Sequence, residues 1–369
     1  METRTSLSIL QICSASQAVY GAVQSLMTLA RTQREAGHRV EFLTFLGKRF
    51  GSQVREDGFT VHEVKVGAKI DPRAILRMRR VIRDGRFDVV HTHLSTSSVN
   101  GCLAARLARV PAIATVHGMS GRLSFFAADH LIAVSQEVKR HLVRQGVREE
   151  KISVVHNGLP SDFQLADRRT ARRDLGFGDA DLVVGTVSRV TALKGVEDAL
   201  QAVAGLRAEF PDLRYLVVGD GDGLETCRSL AATLEIQDRV VFAGYQQDVG
   251  AFLPAMDLFL FPTHKEAMGI ALVEAMAAGL PCVATDVGGI PEVVTAETGR
   301  LVPSKDPAAL QRETAALLRD PALRARMSQA ALDRCNASFS AAAMERQTDW
   351  VYREVLGHAG GQLVTSSSP

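Results

Sequence analysis

No stretch of this 369-residue chain stays apolar for long enough to span a bilayer, so no helical membrane anchor is expected. Cysteine is sparse. Cys13, Cys102, Cys227, Cys282 and Cys335 are odd in number, far apart and mostly set in apolar runs, which excludes a disulfide framework and a CxxC metal site. A reducing, cytoplasmic home follows from that usage. The chain has no GxGxxG: the segment VYGAVQSL (19–26) carries a single glycine, Gly21, which weighs against a nicotinamide dinucleotide site. A calcium loop is missing too. In GDGDG (219–223) the glycines are misplaced and Ala231 stands where a closing glutamate belongs, so a tight turn after a strand is expected. The opening METRTSLSILQICSAS has an apolar run interrupted by Ser8 and Gln11, which reads as a first strand and not as a signal peptide. Linker-like composition is confined to the tail GHAGGQLVTSSSP (357–369), expected to be disordered.

At 46% hydrophobic and 23% charged residues, the composition is that of an ordinary globular chain with room for two domains. The net charge is only +2, but residues 1–160 sum to +10 and residues 161–369 to −8. Such a division points to an anionic partner or surface for the first half. Short β-branched runs alternate with helix-period segments throughout, from VEFLTF (40–45) and DVVHTH (88–93) to LVVGTVS (182–188), LFLFPT (258–263) and GRLVP (299–303). That alternation predicts parallel sheets covered by helices. The polar segment 159–181 divides the runs into two sets. The predicted fold is α/β, two doubly wound Rossmann-like domains over 1–160 and 161–340, with an interdomain cleft. In such sheets ligands bind at the carboxyl ends of strands. His117, Asn157, Ser188, Arg189, Gly219, Asp220 and Glu266 all fall at those ends.

The stretch EAMGIALVE (266–274) follows the apolar run LFLF and opens an alanine-rich helix. Glu274 shares a face there with Ile270, Ala271, Ala277 and Ala278, an acid on an apolar stripe. Such a carboxylate needs either a partner in the protein or donors from outside it. Glu266 lies just before the helix, where orphan amides and the positive dipole end gather. SRVTALKG (188–195) places Arg189 and Lys194 after a strand, a planar fork and a point charge that together suit a diphosphate; a solvated basic loop is the alternative. VHG (116–118) and HTH (91–93) end neighbouring strands, but no carboxylate or cysteine joins the histidines at ligand spacing, so no metal is expected. His117 reads as a hydrogen-bonding or acid/base group, or as a satisfied structural histidine. DPRAILRMRRVIRDGR (71–86) is an amphipathic helix. Its apolar side is Ala74, Ile75, Met78, Val81 and Ile82, and Arg73, Arg77, Arg79, Arg80, Arg83 and Arg86 crowd the other. It suits an anionic bilayer or acidic ligand, or is a solvated face.

Together these segments resemble the retaining glycosyltransferases of family 4, which have the GT-B architecture. EAMGIALVEAMAAGLPCVAT (266–285) matches that family's E-x7-E segment, and DVGGIPEVV (286–294) with TGRLVP (298–303) matches the segment after it. SRVTALKG, VHG, HNGL (156–159) and GHRV (37–40) also match its motifs, and FSAAAMERQTDWVYREVL (339–356) is similar to the final helix that crosses back to the first domain. Two positions depart from the pattern. Tyr20 precedes Gly21 where a second glycine is usual, and Ala267-Met268-Gly269 stands in place of Gly-Phe-Gly.

The resemblance implies transfer of a hexose-type unit, with retention, from a nucleotide diphosphate sugar, with uridine the commonest base. The acceptor would be a glycan or a lipid-linked molecule, as in lipopolysaccharide or polysaccharide synthesis. By the same resemblance Glu274 takes the ribose hydroxyls and Glu266 the sugar hydroxyls. Amides from Met268 through Gly269 and Ile270 to Ala271 cradle sugar and phosphate, and Arg189 and Lys194 neutralise the diphosphate. Gly21 lies near the donor, and His117 contacts the sugar. No cofactor or metal is implied beyond the sugar nucleotide, and no nucleic acid is expected. The first domain, joined by helix 341–356, would bind the acceptor and the second the donor. Cytoplasmic residence, peripheral on the inner face of the membrane through 71–86, is expected. A nucleotide-sugar epimerase of the same architecture and a non-catalytic sugar-nucleotide-binding protein remain the alternatives.

Overall fold

The structure, a computed structural model, describes residues 6–16 and 21–357. Of the tail 357–369, expected to be disordered, all but Gly357 lies outside the described residues, as does the departure at Tyr20. The chain divides into two compact units, Met1–Gly158 with Ala341–Pro369, and Leu159–Ser340.

The first unit is built on seven parallel strands: β1 (Ser8–Cys13), β2 (Arg39–Phe45), β3 (Thr60–Val64), β4 (Val89–His93), β5 (Ala112–Val116), β6 (His130–Ala133) and β7 (Ile152–Val154). They lie in the order β3-β2-β1-β4-β5-β6-β7. β1 is central and buried along its whole length, in register with β2 from Ser8 opposite Arg39 to Cys13 opposite Thr44. A central parallel strand covered on both faces has no solvent side, which is why its apolar run does not alternate.

The second unit has six parallel strands: β8 (Leu182–Val187), β9 (Leu213–Val218), β10 (Val240–Gly244), β11 (Leu258–Phe261), β12 (Cys282–Thr285) and β13 (Gly299–Val302). Their order is β10-β9-β8-β11-β12-β13, the doubly wound order with its reversal between β8 and β11. Each unit has its own apolar core. Val184, Leu200, Tyr215, Leu258 and Leu310 belong to one. Ile9, Phe42, Val89, Met344 and Tyr352 belong to the other.

The helix Ala341–Val355 packs in the first unit and is held there by polar as well as apolar groups. The Gly158 amide donates to Met344 Sδ at 3.3 Å, and the Tyr352 hydroxyl lies 2.6 Å from His91 Nδ1. His38 Nε2 stands 3.5 Å from both Glu345 and Asp349. That trio has the composition of a metal site, yet the Leu7 amide donates to His38 Nδ1 at 3.0 Å. A neutral imidazole with one nitrogen accepting carries its proton on the other, so the nitrogen facing the two carboxylates has no free lone pair to offer an ion. The trio clasps the terminal helix and is not set up to coordinate an ion.

The helix Pro72–Asp84 is capped by Asp71, which accepts from the amides of Arg73 and Ala74, with proline at its first position. Ala74, Ile75, Met78 and Ile82 are buried and Val81 partly so. Arg79 is not free on the outer face: it donates to the Leu107 carbonyl at 3.1 Å and caps the neighbouring helix Ser95–Ala108. The polar segment 159–181 folds into the second unit through the helix Arg168–Asp174. Arg172, 5% exposed, donates to Asp257 at 2.8 Å. Among the described residues no helix is long and apolar enough to cross a membrane.

Candidate active site

The reversal of strand order sets the loops after β8 and β11 side by side at the carboxyl end of the second sheet. The first runs from Ser188 to Gly195 and opens the helix Val196–Leu206. The second leads to the helix Ile270–Ala277. Thr263 Oγ1 and the His264 amide both donate to the Leu193 carbonyl, at 3.0 and 2.8 Å. His264 Nε2 lies 2.9 Å from Asp198. Gly195 makes this close approach possible: its φ is +64°, and a Cβ there would stand 2.1 Å from the Pro262 carbonyl oxygen. The GDGDG segment is a tight turn that supports the first loop from the other side. Val190 donates to the Asp220 carbonyl at 3.0 Å and Gly223 to the Val190 carbonyl at 2.9 Å.

This strapping brings Lys194 and Glu266 together. Nζ and Oε2 are 2.7 Å apart, with both side chains less than a fifth exposed. The other oxygen of Glu266 accepts from the Ala267 amide at 2.9 Å, so the carboxylate is oriented as well as paired. Two groups 72 residues apart, one basic and one acidic, thus occupy one spot. Arg189 is exposed, and its guanidinium has no side-chain partner among the described residues. Beside it Ser188 Oγ is buried without a hydrogen-bond partner.

Gly269, at φ +91°, ends the second loop. The first-turn amides of Ile270 and Ala271 follow it, with no carbonyl four residues back in the helix to receive them. Within the helix Ile270–Ala277, Leu272, Val273, Ala275 and Met276 form the buried side. Ile270, Ala271, Glu274, Ala277 and Ala278 form one half-exposed stripe. The face containing Glu274 is therefore the one turned away from the core. The Glu274 carboxylate has no hydrogen bond or ion pair among the described residues. Although partly reached by solvent, it is surrounded by enough protein that desolvation pushes its pKa up to about 7. Met268 is buried at the base of the loop.

His117 and Gly21 lie in the other unit. His117 follows β5, and its Nε2 is 3.0 Å from His93 Nδ1. Its Nδ1 is buried and has no hydrogen-bond partner. Burial lowers the His117 pKa to about 4, so the ring is neutral in the physiological range. A cavity with room for a water molecule is lined by His117, His93, Thr115, Ser25, Asn157 and Met344. Gly21 opens the helix Gly21–Glu35, which carries Ser25 to that cavity, where Ser25 Oγ donates to Asn157 at 2.7 Å.

Sequence reasoning did not reach the Asp198–His264 pair or the Leu193 carbonyl. Leu193 lies within SRVTALKG, but its carbonyl, like the Asp198–His264 pair, matters only because two loops converge. It did not reach Gln11 and Gln33 as partners of the histidines either. Gln11 left a signal, a polar residue in the middle of an apolar strand.

Two Rossmann-like parallel units of this kind make up the GT-B architecture. Residues 19–163 match the family described as Glycosyltransferase Family 4, and residues 167–334 match Glycosyl transferases group 1. The chain belongs to glycosyltransferase family 4. It is 28% identical over 353 residues to the N-acetyl-alpha-D-glucosaminyl L-malate synthase of Bacillus anthracis, covering 89% of this chain and 92% of that one. To the D-inositol 3-phosphate glycosyltransferase of Corynebacterium efficiens it is 32% identical, over 73% of this chain and 71% of the other. In structure it is similar to Anabaena Alr3699/HepE in complex with UDP, with a TM-score of 0.85 at 21% identity, covering 94% of this chain and all of that one. The same Anabaena protein with UDP-glucose aligns with a TM-score of 0.82 at 22% identity, covering 96% of this chain and all of that one.

Proposed function

We propose that this enzyme moves a hexose-type sugar from a uridine diphosphate sugar to a hydroxyl acceptor, with retention at the anomeric carbon. The observation that carries the reading is Glu274, a carboxylate without a protein partner, on the helix that begins four residues after the Lys194–Glu266 pair. A largely buried acid without a protein partner at a strand-end loop can take its hydrogen-bond donors from a ligand. A ribose offers two adjacent hydroxyls. Glu266 takes hydroxyls of the transferred sugar, and Lys194 and Arg189 face the diphosphate, where they stabilise the charge that develops on the leaving phosphate. Ser188 Oγ, Gly269 and the amides of Ile270 and Ala271 belong to the same phosphate and sugar cradle. Met268 is the apolar floor, and Gly21 and His117 act from the first unit, His117 on a sugar hydroxyl. The uridine base is supported by the Anabaena relative crystallised with UDP and UDP-glucose.

For the acceptor we propose a glycan or lipid-linked molecule of the cell envelope, with the enzyme peripheral on the inner membrane face. The exposed side of the helix Pro72–Asp84 supports this. Leu76, 59% exposed, lies between Arg73 and Arg80 at helical spacing. A small anionic acceptor is the second reading. It is favoured by relatives whose names contain L-malate and D-inositol 3-phosphate, both small anions, and by the +10 charge of residues 1–160. A panel of UDP-, GDP- and ADP-sugars, scored first by thermal shift and then by transfer of labelled sugar to each acceptor class, tests both. Stabilisation and turnover are expected with a UDP-sugar. Selective response to a GDP- or ADP-sugar would replace the uridine reading, and isomerised donor without transfer would sink the transferase one.

A further inference from the structure

Gln11 stands mid-strand in β1, fully buried, where an amide is costly unless every polar atom is paired. Its Nε2 donates to Gln33 Oε1 at 2.9 Å, and its Oε1 lies 2.9 Å from His93 Nε2. Gln33 Nε2 donates to the Tyr352 hydroxyl at 3.0 Å. That hydroxyl lies 2.6 Å from His91 Nδ1, and His91 Nε2 lies 2.7 Å from Thr115 Oγ1. On the other side His93 Nδ1 meets His117 Nε2 at 3.0 Å. Seven side chains from β1, β4, β5, two helices and the loop after β5 make one unbroken chain of hydrogen bonds.

Each link carries one proton, so the direction of any link sets all the others. Burial keeps the imidazoles neutral: His91 is lowered to about 3, His93 well below its ordinary value and His117 to about 4. A neutral imidazole has one donor and one acceptor. Gln11 Oε1 only accepts, so His93 bears its proton on Nε2 and offers a bare Nδ1. His117 must then donate through Nε2, which leaves its own Nδ1 bare. That atom is the buried nitrogen without a partner. In the other direction Gln33 donates to Tyr352, Tyr352 to His91 Nδ1, and His91 Nε2 to Thr115. A reversed chain requires both glutamine amides to turn over together.

We propose that Gln11 and Gln33 are positioning residues that hold His117 in the Nε2–H tautomer, so that its Nδ1 accepts a hydrogen bond from a substrate hydroxyl and is not a proton donor. The identity of that hydroxyl rests on the transferase reading; the tautomer does not. An acceptor nitrogen also confers a specific kind of selectivity. It rejects a fluorine in place of the hydroxyl as strongly as a hydrogen, because fluorine cannot donate.

The test is a long-range proton–nitrogen spectrum of the full chain labelled at histidine nitrogen, near pH 7.5, with His117 assigned by the signals lost in His117→Gln. A pyridine-type Nδ1 and a pyrrole-type Nε2 are expected; a pyrrole-type Nδ1 in the unmodified protein overturns the proposal. Gln11→Glu places a carboxylate beside His93, favours its doubly protonated ring and thereby moves the His117 proton to Nδ1. The tautomer should invert, with kcat/KM lower by roughly tenfold, about one hydrogen bond. A folded Gln11→Glu protein whose His117 tautomer is unchanged removes the role of Gln11. If that variant does not fold, the spectrum of the unmodified protein still decides. Deoxy and deoxyfluoro donors add a functional arm: at the position His117 faces both should lose alike, and rescue by fluorine would show a donating nitrogen. An enzyme that transferred no sugar would leave the spectral result untouched, so the two readings fail separately.

Discussion

Glu274 binds a proton near neutrality in the free protein, and that has consequences of defined sign. Its folded pKa, about 7, is above the ordinary value of 4.5, so the folded state holds more protons than the unfolded one between those pH values. Stability therefore falls as pH rises through that window, and the cost is fully present above it. Glu274→Gln has no such cost. It should gain stability relative to the parent between pH 4.5 and 7, by on the order of 1–3 kcal/mol, as read by denaturant unfolding at each pH. Hydroxyl donors from a ribose favour the ionised carboxylate. Donor affinity should thus rise as pH rises through about 7 with uptake of the donor releasing a proton, and calorimetry in buffers of different ionisation enthalpy reads that release. A pH-independent affinity, or proton release unchanged in Glu274→Gln, would count against the ribose assignment. Glu266 is different in kind, because Lys194 already neutralises it at 2.7 Å. Glu266→Ala should lower kcat more than donor affinity, since contacts to the reacting sugar strengthen in the transition state while ribose contacts do not.

The loops act as a unit because each is shaped by the other. Gly195→Ala meets the Pro262 carbonyl oxygen and a positive φ at once, so the loop that carries Lys194 must move away from the one that carries Glu266. The expected outcome is transfer slowed by on the order of 10²-fold, the size of losing a preorganised charge stabiliser, with nucleoside binding little changed. Lys194→Ala should match it. Equal loss of nucleoside and nucleotide affinity would show that the loop does not serve the diphosphate. The helix Pro72–Asp84 belongs to the same scale. Arg79 holds a neighbouring helix end, so the free basic face is tested with Arg73, Arg77 and Arg80 changed together to Gln. Each basic side chain near an anionic bilayer contributes about 1 kcal/mol, screened by salt. Sedimentation with anionic vesicles at low salt should be lost in that variant while donor binding persists. Unmodified protein that does not sediment leaves the soluble anionic acceptor.

At the scale of the molecule, two cores share one chain, and the terminal helix belongs to the first of them. Tyr352 is fully buried there and bonded to Gln33 and His91. Tyr352→Ala should destabilise the first unit by about 3–5 kcal/mol, the usual cost of deleting a buried aromatic side chain. Hydrogen exchange should quicken in residues 6–158 and stay as it was in 159–340. Uniform quickening would mean that the units unfold together.

The sequence by itself determined the parallel α/β class, the strand runs of both units, the basic amphipathic helix and the family, because buried strands and helix faces are local patterns with fixed periods. It missed β3, whose TVHEV is mostly half-exposed or exposed and has no continuous apolar run, and the helix Arg49–Glu56 beside it. It placed Glu274 with the right neighbours on one stripe, but helical spacing gives faces and not which face meets the core. Only the tertiary structure decided that Lys194 pairs with Glu266, that Arg79 is a helix cap, and that His117 is the end of a chain beginning at Gln11 and Gln33. Those facts depend on contacts between residues tens to hundreds of positions apart. A hydrogen bond is satisfied by geometry at a few ångströms, and spacing along the chain carries no record of it until the sheet order has set the strands side by side.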